Sequence, residues 1–586
     1  LSESSRPVPP RPRRRLFAAV TVLLPFVLLL VLEGALRLSG FGQVYPLFVP
    51  VAGSPDFLRA NPDVVRRFMV DERDTPNLWI RPVFFPRRKA PGTFRIFVQG
   101  ESTTEGYPYG FGASPAGMLQ QRLQRTFPER RIEVVTTAMS AVSSYVLLDF
   151  SREILEQAPD AVVIYAGHNE YAGVLGVGSD FSLGRRRPVV LSILALKDMR
   201  ILQLARRALA SFRPPRPRRT DRTLMATIVA EKRIPYGSPL YRRGLEQYRA
   251  NLSVLLRRYR AAGVPVFLGT VVSNERDQPP FLSGHGPGVD VAAWRRRYEA
   301  GRAALVAGHA TTAATAALRE FDAAVALDDA DAAGHFGRGQ ALERLGRYGE
   351  ACQAYLAAKD RDQLRFRAPE EINEILRQVA AEEGAHVVEV REAFHRAAEH
   401  GIVGHDLMLE HLHPNLSGYF LLADAFYDAF HAQGMIGPWV APVPREQARR
   451  EIPVTEVDRL YGEWRARYLT SDWPFTEPPE PFQLPLAKSP VERIAASYYG
   501  GSDDWPNAMR RLLTYYRSIG DDSDVARVAV LLAEAFPNRA EDQRVAAEVL
   551  LAAGRSDASV YLRQERRAQT LARRRGSDVA ARRSPG

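Results

Sequence analysis

The chain has 586 residues, 46% hydrophobic and 25% charged. At about 100–200 residues per domain that length predicts three or four units, and the composition excludes a largely disordered, collagenous or disulfide-stapled chain. The net charge of +12 is local: residues 1–15, 183–222 and 563–586 carry +4, +10 and +6, which leaves −8 for the rest. With no nucleic-acid module beside this charge, nucleic-acid binding is a poor fit.

Arg11, Arg13, Arg14 and Arg15 precede an uncharged run, 16–32, closed by Glu33. Seventeen helical residues span about 25 Å, the short end of the membrane range. Residues 34–38 extend it if Arg37 reaches for the far interface. Pro25 is tolerated within such a helix. A cleaved signal peptide has a similar plan, but its apolar core is about 7–15 residues and ends in small residues. Glu33-Gly34-Ala35-Leu36-Arg37 is a poor cleavage site. The expectation is a cytoplasmic tail at 1–15, a single transmembrane anchor at 16–38 and a juxtamembrane segment at 39–92. The positive-inside bias puts everything after about residue 40 on the outer side.

Five apolar runs follow, at 94–98, 132–135, 161–165, 264–270 and 386–390, separated by helical patterns such as 116–126 and 147–156. Alternation of this kind predicts an α/β layered fold on a parallel sheet. The last gap is too long for one crossover and carries an insertion. Phe321 and Ala324 recur as Tyr355 and Ala358 at a spacing of 34, the tetratricopeptide period. Gly339, Ala341, Leu345, Gly346, Tyr348 and Ala351 complete the second unit's pattern. An ordinary helical hairpin is the alternative reading of the same residues. The lone Cys352 excludes an intrachain disulfide and any cysteine-rich metal site.

Residues 437–500 are rich in Pro and aromatics and suit an irregular segment wrapping the core. Amphipathic stretches in 501–570 predict further repeat-like hairpins, and 571–586 reads as an Arg-rich disordered tail. The basic insertion, about 183–222, either lies on anionic lipid beside the anchor or forms a solvated loop.

Three polar clusters stand at or near the carboxyl ends of expected strands, where sites of α/β sheets form. Gly100-Glu101-Ser102-Thr103-Thr104 follows the first run; alone, its Ser reads more simply as a helix cap. Gly167-His168-Asn169-Glu170 follows the third, and its Asn amide can donate to an oxyanion. Glu410-His411-Leu412-His413-Pro414 follows the insertion, and a carboxylate three residues before a His can orient it as general base for a Ser.

Together these blocks resemble those of the SGNH (GDSL-like) hydrolase superfamily over about 93–433 minus the insertion. More narrowly, Gly-Glu-Ser-Thr-Thr with Tyr-Ala-Gly-His-Asn-Glu-Tyr is similar to a membrane-anchored bacterial subgroup carrying tetratricopeptide repeats. The resemblance implies a three-layer α/β/α sandwich with a five-stranded parallel sheet. The hydrolase domain would occupy 93–296 and 367–436, with the repeats at 297–366. Ser102 would be the nucleophile, His413 the base and Glu410 the acid orienting it. The Ser102 N–H, the Ala138 N–H and the Asn169 side chain would be the oxyanion donors. Neither metal nor cofactor is implied.

Ala138 stands where the family offers Gly, and Glu410 where it offers Asp, which leaves Asp406 as an alternative acid. Glu170 stands in place of the block's final Asp and reads as structural. Gly167 and His168 line the pocket or serve structure, and Tyr107 walls the acyl site or packs its turn. His405, His411, His413, Asp406 and Glu410 mimic a metal cluster, though their spacing fits no metal motif. The expected activity is a serine esterase acting on an O-acyl group of an envelope glycan or lipid at the outer face of a bacterial inner membrane. The alternatives are an O-acyltransferase on an envelope polysaccharide, or a degenerate scaffold binding protein partners through its repeats.

Overall fold

Among the described residues, eight strands form two sheets. β1 (Phe48–Val51), β2 (Ser54–Ala60) and β3 (Phe84–Pro86) make a small antiparallel sheet in the order β1-β2-β3. β4 (Thr93–Gly100), β5 (Arg131–Thr136), β6 (Ala161–Tyr165), β7 (Val266–Gly269) and β8 (His386–Val388) make a parallel sheet in the order β5-β4-β6-β7-β8. The five strands answer the five apolar runs. β4 and β6 are buried along nearly their whole length, as strands covered on both faces must be.

The computed structural model describes residues 11–69, 75, 78, 80–181, 186–212, 222–308 and 310–583. The first ten residues of the expected tail, 183–185 and 213–221 of the basic insertion, and the last three residues lie outside them. The chain divides into two units, one of 1–45, 65–75 and 183–218, the other of 46–64, 76–182 and 219–586.

In the first unit, helix Arg11–Leu38 includes a 23-residue apolar stretch, Leu16–Leu38. At 1.5 Å per residue it is about 34 Å long, enough to cross a hydrocarbon core. Its side chains from Leu16 to Leu32 are exposed almost throughout.

In the second unit, the chain leaves β4 toward β5 on one side, then recrosses to β6, β7 and β8 on the other. Right-handed crossovers therefore put the first connecting helix and the next ones on opposite faces. Helices Ser144–Leu155, Pro239–Ala261 and Glu370–Glu383 pack in series, and Pro115–Thr126 packs with Leu416–Ala432. The result is three layers. The small sheet, unforeseen within the juxtamembrane segment, packs on β4 through Phe48, Phe85 and Phe97, whose ring centroids lie 5.1–5.9 Å apart.

Arg95 on β4 is fully buried. It pairs with Glu133 on β5 at 2.8 Å and donates to the carbonyls of Pro86 and Gln157, each at 2.8 Å. Removing one partner of a buried pair leaves the other charge uncompensated. Arg95→Leu is therefore expected to lower unfolding free energy by about 3–5 kcal/mol. Denaturant unfolding in detergent checks this, and an unchanged midpoint would show the pair to be dispensable.

Between β7 and helix Glu370–Glu383 stand, among the described residues, four helices, Val291–Val306, Thr311–Leu327, Ala332–Arg344 and Tyr348–Arg361, packed as successive hairpins. A Cβ on Gly337 would meet the Phe321 ring at 2.3 Å and one on Gly339 the Tyr355 ring at 2.7 Å. The glycines thus let each helix approach an aromatic ring.

Two expectations change. The Pro-rich segment contains helices Arg445–Arg450, Glu456–Thr470 and Pro490–Tyr499, the last two begun by capping boxes at Thr455/Asp458 and Ser489/Glu492. The tail expected to be disordered is helical to Arg583, as the end of helix Ala558–Arg583. Val560, Tyr561 and Ala568 bury one face of that helix, so it begins as a packed element and its polar end continues the turn.

Candidate active site

A sheet whose strand order reverses leaves a crevice at the carboxyl ends of the two strands flanking the reversal. Here these are β4 and β6, and the first two polar clusters follow them directly. A Cβ on Gly100, the last residue of β4, would lie 2.3 Å from the Tyr165 carbonyl and 2.1 Å from Thr104 Oγ1. Only glycine permits this approach. Thr104 then donates to the Tyr165 carbonyl at 2.6 Å, tying the two strand ends together.

Ser102 opens a one-turn helix, Ser102–Glu105, so its N–H is among those the turn leaves without a helical acceptor. The turn closes at Gly106, at φ +91°, where a Cβ would lie 2.6 Å from the Gly110 carbonyl. Glu101 caps the turn and reaches across to the second cluster. Its carboxylate accepts the N–H groups of Gly167 (3.0 Å), His168 (3.0 Å) and Asn169 (3.2 Å). Burial pushes the Glu101 carboxyl up to about 8 against those three donors, and the charge of Glu170 adds to the rise. One side chain thus sets the position of Asn169 relative to Ser102. Among the described residues the Asn169 side-chain amide makes no hydrogen bond, which leaves it available to a ligand.

The third cluster sits on a loop folded back on itself. The Leu409 N–H donates to the His413 carbonyl at 2.8 Å, and the Asn415 N–H to the Leu407 carbonyl at 2.9 Å. Asn415 then caps helix Leu416–Ala432 by accepting from the Gly418 N–H. His413 Nε2 lies 2.8 Å from Ser102 Oγ, and its Nδ1 hydrogen-bonds Glu410 Oε1. The other carboxylate oxygen, Oε2, is bonded by His411 Nδ1. Glu410 also accepts the His413 N–H at 3.1 Å. Burial alone would raise the Glu410 carboxyl, but the two imidazoles outweigh it and hold the group well below its ordinary range.

Ser102, His413 and Glu410 therefore form one hydrogen-bonded chain. Asp406 lies apart, accepting the N–H groups of Glu399 and Gly404 and facing Arg276 at 3.5 Å. Ala138 is fully buried, and its N–H donates to Thr136 Oγ1 at 3.2 Å. Glu170 is turned to Ser144 and Gln247, which donate to it at 2.6–3.0 Å. The Tyr107 ring lies 4.6 Å from that of His413, and the Arg465 guanidinium lies 4.6 Å from the Tyr107 ring.

His168 accepts the Ala368 N–H at Nδ1, so the proton of its neutral ring is on Nε2. Burial, joined by the charges of Lys359, His411 and His413, brings His168 down to about 3 and keeps it neutral. His405 contacts Asn274 at 3.5 Å, away from His413.

The sequence does not disclose the parts three contributors play. Glu101 acts across 66 residues, His411 shares the carboxylate of Glu410, and Arg465 comes from the Pro-rich segment. Only Glu101 left a signal, as the acid within the first block. Around His411 the rings of Phe281, Phe366 and Phe475 stand at 5.3–6.1 Å, an apolar wall beside the hydrogen-bonded chain.

Two groups gather metal-type ligands among the described residues. In the first, Glu410, His411 and His413, both nitrogens of His413 are engaged by Glu410 and Ser102. The second joins Glu275, Cys352 and His395. There the His395 ring lies 3.1 Å from Glu275 and donates from Nδ1 to the Gly401 carbonyl at 2.8 Å. Burial opposes its charge, but Cys352 and Glu275 outweigh it and raise His395 to about 10.

No protein-family model matches the chain, and no curated protein does. Among solved structures it is similar to an acetylxylan esterase from Geobacillus stearothermophilus, in a catalytic mutant form (14% identity, TM-score 0.27, 59% of this chain and 96% of that one). It is also similar to the lipase/acylhydrolase from Enterococcus faecalis (14%, 0.26, 60% and 99%). A third is a GDSL-like lipase from Bacteroides thetaiotaomicron (11%, 0.25, 58% and 88%). At these scores the likeness bears no weight for function, which rests on the geometry above.

Proposed function

We propose that the chain is a serine-type ester hydrolase held at a membrane by the helix Arg11–Leu38. The observation that carries the reading is the 2.8 Å approach of Ser102 Oγ to His413 Nε2, with Glu410 bonded to the far side of that ring. Ser102 Oγ attacks an acyl carbonyl carbon as its proton passes to His413 Nε2. Glu410 fixes the ring's tautomer and stabilises the imidazolium that forms. The tetrahedral oxyanion is met by the Ser102 N–H and the Asn169 amide. The Ala138 N–H joins them only by giving up its bond to Thr136. His413 returns its proton to the departing alkoxide, and a water then repeats the sequence to release the acid.

The substrate class is an O-acyl ester of an envelope glycan or lipid, met on the outer side of a bacterial inner membrane. The Arg residues ahead of the anchor support that orientation, and the aromatic wall at His411 suits an apolar acyl group. Fluorophosphonate treatment of the folded chain, followed by mass spectrometry, is expected to place one adduct on Ser102. Folded protein that stays unlabelled would remove the hydrolase reading.

A further inference from the structure

Helix Arg200–Ser211 is amphipathic in the reverse sense for a water-soluble surface. At about 100° per residue, Ile201, Leu204, Ala205, Ala208 and Leu209 share one arc, and Phe212 continues it. Arg200, Gln203, Arg206 and Arg207 share the other. A helix on a soluble body turns its apolar arc to the core. Here Leu204, Leu209 and Phe212 are 37%, 52% and 85% exposed. The polar arc instead makes the attachments. Gln203 donates to the Gln43 carbonyl at 2.7 Å and accepts the Gln43 N–H at 3.1 Å, and the Arg207 guanidinium lies 4.8 Å from the Phe41 ring.

The start of this helix is fixed to the end of the apolar span. Glu33 accepts the N–H groups of Arg200 (3.0 Å) and Ile201 (2.9 Å) and pairs with Arg37 at 2.8 Å. Glu33 is the first charged residue after the run 16–32 and stands five residues, about 8 Å along the helix, before the end of the span at Leu38, so the helix begins near the level where the span leaves hydrocarbon. An apolar face presented at that level meets lipid. The preceding helix, Arg187–Ala195, adds Val189, and Leu196 follows it; these side chains are 47% and 46% exposed. Residues 186–212 carry six cations and one acid, suited to an anionic headgroup layer.

We propose that 200–212 is an interfacial helix, its apolar face sunk into the headgroup and acyl boundary of anionic phospholipid beside the emerging anchor. The inference rests on the reading of 16–38 as a spanning helix, and the test separates the two. In the full chain carrying Cys352→Ser, a single cysteine at Leu24 or at Phe212 is labelled with an environment-sensitive fluorophore. Each protein is reconstituted into nanodiscs of phosphatidylcholine, with or without phosphatidylglycerol, and with or without acyl-brominated lipid.

Loss of fluorescence is expected at both positions. At position 212 it should be greater with bromines near the carbonyls than near the methyl ends, and greater again with phosphatidylglycerol. Leu209→Glu should abolish it at 212 and leave it at 24. Quenching at 24 without quenching at 212 overturns the interfacial helix and spares the anchor. Equal quenching at 212 with and without phosphatidylglycerol overturns the anionic preference. Absence of quenching at 24 overturns the anchor, and the interfacial helix with it.

Discussion

Replacing His413 with alanine is expected to lower kcat on an aryl acetate by about a million-fold, with KM little changed. Among the described residues Ser102 Oγ has one basic partner within hydrogen-bond reach, His413 Nε2 at 2.8 Å. Without it the hydroxyl must lose its proton to water, and the leaving alkoxide has no acid. Labelling of Ser102 by a fluorophosphonate should fall in parallel, because the same proton transfer activates the same oxygen. Groups that act as a unit do not add their effects. Ser102→Ala joined to His413→Ala should therefore lose no more than either substitution alone. Steady-state kinetics of the three variants checks this. Activity of His413→Ala within about tenfold of the parent would be less than any general base contributes, and would place the chemistry elsewhere.

Much of this arrangement can be read along the chain, and the residues show where that stops. β4, β6 and β7 are apolar runs because both faces of each are covered, so hydrophobicity alone marks them. β1 and β2 escape the same reading. They have four and seven residues, with only part of each buried, and Pro50, Pro55 and Asp56 blur any alternation. Helices Glu456–Thr470 and Pro490–Tyr499 did leave a local signal, in Thr455-Glu-Val-Asp458 and Ser489-Pro-Val-Glu492. The proline content of the surrounding segment outweighs it.

The site divides in the same way. Ser102, Asn169 and His413 stand in short blocks tied to strand ends, and a block is legible wherever its residues are close in sequence. The choice between Glu410 and Asp406 is not legible. Both lie within seven residues of His413, and only the folded loop turns one toward the ring and the other toward Arg276. The clamp of Glu101 on the N–H groups of Gly167, His168 and Asn169 is a contact across the β4 and β6 ends, which exists only once the sheet has formed. Amphipathicity of 200–212 is plain in the sequence. Which arc faces outward depends on Glu33 and Gln43, far away in the chain, and it is these contacts that leave the apolar arc exposed.

Glu410→Gln is expected to lower kcat by about 10,000-fold, the loss seen when the carboxylate of such a chain becomes an amide. Two Nδ1–H donors, of His413 and His411, meet the two oxygens of Glu410. A glutamine offers one oxygen and one NH2, so one of the two rings must face a donor with a donor. Replacing His411 by phenylalanine in the same protein removes that competition, and the ring fits among Phe281, Phe366 and Phe475. The double variant should therefore recover about tenfold, the worth of one restored hydrogen bond. Asp406→Asn should leave kcat little changed. Stability should respond as well. Glu410 titrates in the folded chain well below its ordinary 4.5, so the folded state holds the carboxylate where the unfolded chain is already protonated. Its contribution is full above 4.5 and is lost as pH falls through the lower, folded value. Unfolding midpoints measured from neutral pH downward should fall more steeply for the parent than for Glu410→Gln. Parallel curves, or a Glu410→Gln enzyme as fast as the parent, would remove Glu410 from the chain and return the question to Asp406.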